Sequence, residues 1–359
     1  MKKIAFVLGT RPEIIKLWPL IDYCKRGDLD YIIIHTNQHY SENMDKIFFE
    51  ELDLPQAKYN LAIQSSSHGD ATGRMMQGVE KIFMQESPDI VFVQGDTNTV
   101  LAGALVASKI DSVLLAHVEA GLRSYDRSMP EEINRIVVDH ISDKLFTPTE
   151  KQKEILMHEG VKEKVIHVSG NTIVDAVYMG RALSQKKSRI LEDIAQKEDA
   201  FILFTAHRPA TVDNKENISE VIKAVAVLAE KHSKTVIMPL HPRTQKMITT
   251  FGIPLPESMI IIEPVGYLDM LKLQQSAFLV ITDSGGLQEE SCILEKKCAV
   301  IRENTERPEA VDVGGCVLVG NTDAQKIVRK CDELIQKDVK WSNPFGDGKA
   351  AEKIIEAII

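Results

Sequence analysis

The chain of 359 residues is poor in several things that would each assign a class. It has five cysteines, Cys24, Cys292, Cys298, Cys316 and Cys331. The number is odd and no two form a CxxC pair, so neither a disulfide framework nor a zinc site is indicated. Buried free thiols in a reducing cytoplasm are the expectation. No run approaches the roughly 18 apolar residues of a membrane helix, so no membrane association is expected. The opening Met1–Glu13 stretch, MKKIAFVLGTRPE, has two lysines before an apolar run, but Thr10-Arg11-Pro12-Glu13 interrupts it without a small-residue cleavage pattern. It reads as a first buried strand and not as a secretory signal. There is no basic surplus: 43 Lys and Arg stand against 52 Asp and Glu, a net charge of -9. That weighs against nucleic acid as a partner, while leaving room for local basic pockets. The GxGxxG fingerprint is absent, so a dinucleotide cofactor is not implied. There is no low-complexity tract and no short repeat.

What remains is an ordinary globular composition, 44% hydrophobic and 26% charged, long enough for two domains. Apolar β-rich runs at 4–8, 31–36, 90–94, 113–117, 144–147 and 165–168 alternate with helical patterns such as 41–51, 72–85 and 97–109. The alternation then restarts, with strands at 201–206, 235–240, 259–263, 278–282, 299–302 and 317–319 and helices notably at 214–232 and 323–336. Strands alternating with helices give parallel sheets covered on both faces. Two such series predict two Rossmann-like α/β domains, residues 1–169 and 170–345, with the segment 346–359 folding back as a helix onto the first. The polar stretch 185–199 is the least core-like and reads as surface.

In open α/β sheets ligands bind beyond the carboxyl ends of the strands, so chemistry is sought there. After the first strand, Gly9 permits a tight turn and Pro12 suits a helix start. Arg11 and Lys16 stand ready to meet an anion at that helix N-terminus, the alternative being two solvated charges. Asp96 follows the strand 90–94, where capping the next helix is the commoner role. Glu119 ends the strand 113–117 beside a small Ala-Gly turn and would be expensive to bury without a partner. Glu131 and Glu132 follow Pro130, where the helix dipole accounts for at least one of them. Asp96, Glu119 and Glu131, on successive loops of one domain, form a possible acid–base group.

In the second half, His207-Arg208 and His241-Pro242-Arg243 each follow a strand. A single histidine there is more often structural, but two His-and-Arg pairs point to phosphate. Asp283-Ser284-Gly285-Gly286-Leu287-Gln288-Glu289-Glu290 follows an apolar strand and opens a helix. The two glycines let a phosphate approach the backbone, Ser284 adds a hydroxyl donor, and Glu290 is placed to accept both hydroxyls of a ribose. A purely structural Gly-Gly turn is the competing reading. Thr305-Glu306-Arg307-Pro308-Glu309 puts another arginine near a helix start.

Taken together, GTRPE at 9–13, GDT at 95–97, HVEAGLRS at 117–124, PEEINR at 130–135, HR at 207–208, DSGGLQEE at 283–290, TERPEA at 305–310 and NPFGDG at 343–348 resemble the non-hydrolysing UDP-GlcNAc 2-epimerases, in the family's order and over nearly the whole chain. The resemblance implies a glycosyltransferase-B-like pair of Rossmann domains, dimeric, with the site in the interdomain cleft. It implies catalytic roles for Asp96, Glu119, Glu131 and His207, and a UDP-sugar held by Arg11, Ser284, Gly285, Gly286, Glu290 and Arg307, with Lys16, Arg135, His241 and Arg243 as further candidate contacts. The implied reaction expels UDP to a 2-acetamidoglucal and adds it back, with no cofactor and no metal, in the cytoplasm. The chain departs from many bacterial members at Tyr40, where they carry Arg, and at Ala71, where relatives often have Gln. Some of those members are activated by a second substrate molecule. Residues 124–129 further resemble a branch that includes epimerases of 2,3-diacetamido uronic acid nucleotides. A glycosyltransferase on the same scaffold is the rival enzyme class.

Overall fold

The computed structural model describes residues 2–36, 48–63 and 67–359. The chain divides into two compact units, Met1–Met179 with Phe345–Ile359, and Gly180–Pro344. The first holds β1 (Ile4–Leu8), β2 (Tyr31–His35), β3 (Tyr59–Asn60), β4 (Ile90–Gln94), β5 (Leu114–Val118), β6 (Lys144–Thr147) and β7 (Ile166–Val168), in the order β3-β2-β1-β4-β5-β6-β7. The second holds β8 (Phe201–Thr205), β9 (Thr235–Pro239), β10 (Met259–Ile262), β11 (Leu279–Thr282), β12 (Cys298–Val300) and β13 (Cys316–Leu318), in the order β10-β9-β8-β11-β12-β13. Neighbouring strands pair in parallel throughout both sheets.

The central strands are apolar runs because helices cover both their faces. IAFVL of β1, IVFVQ of β4 and FILFT of β8 are buried at every position. Val7, Val93, Val100 and Val138 belong to one core, and Phe204, Val225, Ile281 and Ile327 to the other. In each sheet the strand order reverses once, between β1 and β4 and between β8 and β11. At such a reversal the crossovers leave in opposite directions and open a crevice at the carboxyl ends of the strands. The turns there are Gly9–Glu13 and Gly95–Thr97 in the first unit, and Ala206–Arg208 and Asp283–Gly286 in the second.

Gly9 owes its place to close approach and not to an unusual backbone angle. A β-carbon there would lie 2.1 Å from Thr36 Oγ1 and 2.4 Å from Thr99 Oγ1. Beside it, Glu13 in the first turn of the helix Arg11–Arg26 accepts the N–H groups of Gly9 and Thr10, both at 2.7 Å, and the hydroxyl of Thr97. One carboxylate thus ties together the two turns that flank the first crevice. Burial pushes Glu13 up to about 7, against the pull of its Thr97, Gly9 and Thr10 hydrogen bonds. The fold therefore favours the protonated form. Its contribution, on the order of 3 kcal/mol, is complete below about pH 4.5 and lost as the pH rises through about 7. Glu13→Gln keeps an acceptor without the charge. In urea titrations the wild type is expected to lose stability relative to this variant across that window; a constant difference would mean that Glu13 is ionised in the folded protein throughout.

Several expectations change in detail. The division between the units falls inside the helix Thr172–Lys187, between Met179 and Gly180, and not at Gly170. The short strand β3 carries no apolar run and escaped the pattern. The stretch 185–199 contains the short helix Ile190–Asp193, with Ile190 buried. The helix read at 72–85 runs His68–Glu86 and contains Ala71. Tyr40 and most of the 41–51 helix lie outside the described residues. The last helix, Ala350–Glu356, belongs to the first unit, where Asp175 accepts the N–H groups of Ala350 and Ala351 at 3.2 and 3.0 Å. All five cysteines are buried and free. Among the described residues no helix is long and apolar enough to cross a membrane, and no cluster of His, Cys, Asp and Glu is arranged to hold a metal.

Candidate active site

Gly95, at φ +84, turns the chain after β4 and presents Asp96. Asp96 does not cap the next helix, since Thr97 takes that position and its hydroxyl accepts from Val100 N–H at 3.4 Å. The Asp96 carboxylate instead faces Arg135 of the helix Pro130–Ile141, and Asn134 of the same helix donates to the Asp96 carbonyl at 2.8 Å. Arg135 reaches Glu132 with its other terminal nitrogen at 2.7 Å. Arg135 is therefore engaged by two carboxylates of its own unit.

The two neighbouring glutamates separate cleanly. Glu132 is buried and accepts the N–H groups of Ser124 and Tyr125, both at 2.9 Å, fixing the loop after β5. Burial would raise its carboxyl, but the Ser124 N–H, Arg135 and the other donors hold it below the usual range. Glu131 is half-buried at the helix start and makes no hydrogen bond or ion pair among the described residues. The structural hydrogen bonds at this helix start are therefore made by Glu132.

Glu119 sits at the end of β5 with φ +70, a left-handed backbone that costs a residue with a side chain about 1–3 kcal/mol. It is 7% exposed. The partner its burial demands is Lys16, whose ammonium donates to Oε1 at 2.6 Å, with Gln94 at the end of β4 donating to Oε2. Lys16 is thus placed on a carboxylate, not on an open anion site, because a buried ammonium and a buried carboxylate each need the other's charge. Arg11 lies over the Phe48 ring, 4.7 Å from its centroid.

In the second unit the organising residue is one that the sequence reading left unassigned. Asp283, at the end of β11, has no exposed surface. It accepts the backbone N–H groups of His207 and Arg208, both at 2.9 Å, and its Oδ1 lies 3.1 Å from His207 Nδ1. Burial would raise its carboxyl, yet the His207 contacts and the two backbone donors hold it below the ordinary range. Asp283 thus holds the Nδ1 edge of His207, whose side chain is 40% exposed. The His241 ring stands 5.4 Å from that of His207. Burial, and then the neighbouring His207, push His241 below its usual value. His241 caps the helix Pro242–Phe251, and Arg243 is held in an ion pair with Asp213, 2.9 Å from Nε to Oδ1.

Ser284 caps the helix Gly285–Ile293, accepting from Leu287 N–H at 3.4 Å. Gly285 leaves space for a guanidinium: a β-carbon there would lie 2.7 Å from an Arg307 terminal nitrogen. Arg307 is anchored through Nε to Glu289 at 2.7 Å. Gly286 has open space above it, with only Ser284 Oγ in reach of a β-carbon, at 3.8 Å. Glu290 is buried and accepts from the Gln274 amide at 2.7 Å. A helix N-terminus, two glycines and a guanidinium held by Glu289 are groups that can receive an anion.

The first unit therefore pairs Asp96 with Arg135 and Glu119 with Lys16, with Glu131 at the start of the Arg135 helix, and the second sets His207 by His241 and Gly285 by Arg307. Residues 22–359 match the family model described as UDP-N-acetylglucosamine 2-epimerase. A UDP-N-acetylglucosamine 2-epimerase of Methanocaldococcus jannaschii is 50% identical over 362 residues, covering 99% of this chain and 98% of the relative. The crystal structure of the Methanocaldococcus jannaschii UDP-GlcNAc 2-epimerase in complex with UDP-GlcNAc and UDP superposes with a TM-score of 0.89 at 50% identity, covering 99% of both chains. A UDP-2,3-diacetamido-2,3-dideoxy-D-glucuronate 2-epimerase of Pseudomonas aeruginosa is 38% identical, with 99% of this chain and 98% of the relative covered. With two parallel α/β sheets carrying the expected motifs at their switch points, and a match running over almost its whole length, the chain belongs to the UDP-N-acetylglucosamine 2-epimerase family.

Proposed function

We propose that the protein interconverts UDP-N-acetylglucosamine and UDP-N-acetylmannosamine. The observation that carries this reading is Glu119, a buried carboxylate on a strained backbone, held by Lys16 at the strand end next to that of Asp96. Strain and buried charge of this kind collect where chemistry is done.

The C2 proton of the sugar has no carbonyl beside it, so simple deprotonation is too costly. Loss of UDP solves this. A carboxylate takes the C2 proton, the C2–H electrons form the C1–C2 double bond, and the C1–O bond breaks with its pair going to the β-phosphate oxygen. UDP and a 2-acetamidoglucal result. The phosphate oxygen then adds back to C1 as a proton reaches C2 on the opposite face. Asp96, Glu119 and Glu131 supply the base and the acid. Arg307, Ser284 and the N–H groups at Gly285 and Gly286 receive the charge that develops on the leaving diphosphate, with His207 held at its Nδ1 edge by Asp283. Arg11 and His241 complete the contacts to the nucleotide, and Glu290 takes the ribose. The same reading makes the protein a cytoplasmic homodimer that supplies polysaccharide synthesis.

The test is incubation with UDP-N-acetylglucosamine in D2O, followed by proton NMR. The manno epimer with deuterium at C2 is the expected product, with free UDP and glycal accumulating slowly. The 2,3-diacetamido uronic acid nucleotide is the second substrate to try, because residues 124–129 share that branch's pattern and a relative with that activity is 38% identical. Turnover of that nucleotide alone would keep the mechanism and change the substrate; no turnover of either, with UDP bound, would overturn the proposal.

A further inference from the structure

Beneath the first-unit carboxylates lies a buried group that the reaction does not itself use. His117 is in β5, two residues before Glu119, and is 1% exposed. Its Nδ1 is 2.7 Å from Asp139 Oδ1 and its Nε2 is 2.9 Å from the carbonyl oxygen of Gly95. A carbonyl only accepts, so Nε2 carries a proton. Asp139, from the helix Pro130–Ile141, is buried, but its second oxygen takes Arg123 at 2.7 Å and Gly121 N–H at 3.2 Å. Burial raises the Asp139 carboxyl, and His117 and Arg123 together more than offset this and keep it ionised. Both ring nitrogens thus face oxygens, one a carbonyl and the other a carboxylate that also takes Arg123 and Gly121 N–H.

The charges around it close. Asp139 faces His117 from the helix, Arg123 stands behind Asp139, and Arg123 in turn is bound to Glu159 at 2.9 and 2.6 Å. On the other side the ring meets the Gly95 peptide, with Asp96 next in the chain and Arg135 paired to it. That peptide is gripped twice, because Gly95 N–H also donates to the Val118 carbonyl at 3.2 Å. The turn that presents Asp96 is thus pinned to the end of β5 by its N–H and by its C=O. The residue beyond Val118 is Glu119.

We infer that His117, held as an imidazolium by Asp139, is a positioning residue that sets the Asp96 turn against the Glu119 turn. The inference rests on the epimerase reading for what those carboxylates do, but the ring's protonation stands apart from it. Deprotonation of the ring removes one of two donors, leaves the buried cluster one negative charge in excess, and frees the Gly95 carbonyl to turn.

The test has a spectroscopic and a kinetic half, both on the full chain. Long-range proton–nitrogen spectra of the 15N-labelled protein at neutral pH are expected to show both His117 ring nitrogens at the imidazolium position. In His117→Gln the charge is gone, and a single amide nitrogen cannot serve both Gly95 and Asp139 as the two ring nitrogens do. Its kcat is expected to fall about 10- to 100-fold with KM within about threefold, the scale of a catalytic group misplaced by under an ångström. Asp139→Asn is expected to lose the imidazolium signature and as much kcat. A neutral ring in the wild type overturns the proposal, and so does wild-type kcat in His117→Gln or a loss confined to KM. Should neither variant fold, the wild-type spectrum still decides it. If Glu119→Gln turns over normally, the carboxylate reading falls and takes the kinetic role with it, while the imidazolium result is judged by its own spectrum.

Discussion

Glu119→Gln is expected to lower kcat by about 10³-fold, the scale of a general acid–base group, while UDP binds as tightly as before. The two readouts part because the proposed UDP contacts, Ser284 to Gly286 and Arg307, belong to the second unit and Glu119 to the first. Exchange of the C2 proton into D2O should vanish with turnover. The variant also removes the carboxylate charge from a buried ion pair with Lys16, and breaking comparable buried pairs costs about 3–5 kcal/mol. A lower melting temperature is therefore expected alongside the lost activity. Isothermal titration with UDP and a thermal melt separate the effects. If turnover stayed within about tenfold of the wild type while the melt dropped, Glu119 would be the structural counter-ion of Lys16 and the base would have to be sought at Asp96 or Glu131.

Asp283→Ala should damage both stability and activity. It strands the N–H groups of His207 and Arg208 and releases the His207 ring from its only hydrogen-bonded support among the described residues. Each orphaned buried donor costs about 1–3 kcal/mol, so a loss on the order of 3 kcal/mol is expected in urea unfolding at neutral pH. The carboxyl is held below its ordinary value, so the folded state favours the ionised form. Its contribution is present above the ordinary carboxylate range and lost as the pH falls through the lower folded-state value. The gap between wild type and variant should accordingly narrow in acid. Turnover should fall about 10²-fold, as expected when a general acid–base group loses its orientation. A variant as stable as the wild type at neutral pH, or a gap that widened in acid, would remove Asp283 from this role.

Much of the scaffold was legible because double burial writes itself as uninterrupted apolar runs. The strands β1, β4 and β6 begin and end where those runs do. The turns after them were legible for the same reason, since a polar residue next to such a run must stand at the sheet's edge. What the sequence concealed is who pairs with whom. Lys16 and Glu119 are 103 residues apart, so Lys16 read as a waiting anion site until the fold brought a carboxylate to it. Glu131 and Glu132 are chemically identical neighbours, and only the helix phase, which buries one against Ser124 and Arg135, tells them apart. Asp283 was in view as part of a motif, but its work is done on the backbone of residues some 75 positions earlier. His117 looked like one more residue of an apolar strand. The boundary near Gly170 was read from where the second strand–helix series begins, whereas the chain divides within a continuous helix, where sequence gives no mark.

The first unit is not contiguous: it ends at Met179 and is completed by Phe345–Ile359. Ala350, Ala351, Ile354 and Ile355 of the last helix are buried, and Ile358 receives the Lys2 ammonium through its carbonyl at 2.7 Å. On the ribosome this inverts the usual order. At about 5–20 residues per second, the N-terminal sheet waits roughly 10–40 s with part of its apolar surface uncovered while the whole of Gly180–Pro344 is made. The later-synthesised unit is free to finish folding before the earlier one. A stop codon that removes only the last helix would leave the second unit's sequence intact and strip the first of its closing piece. The first unit is complete only once Phe345–Ile359 has been made.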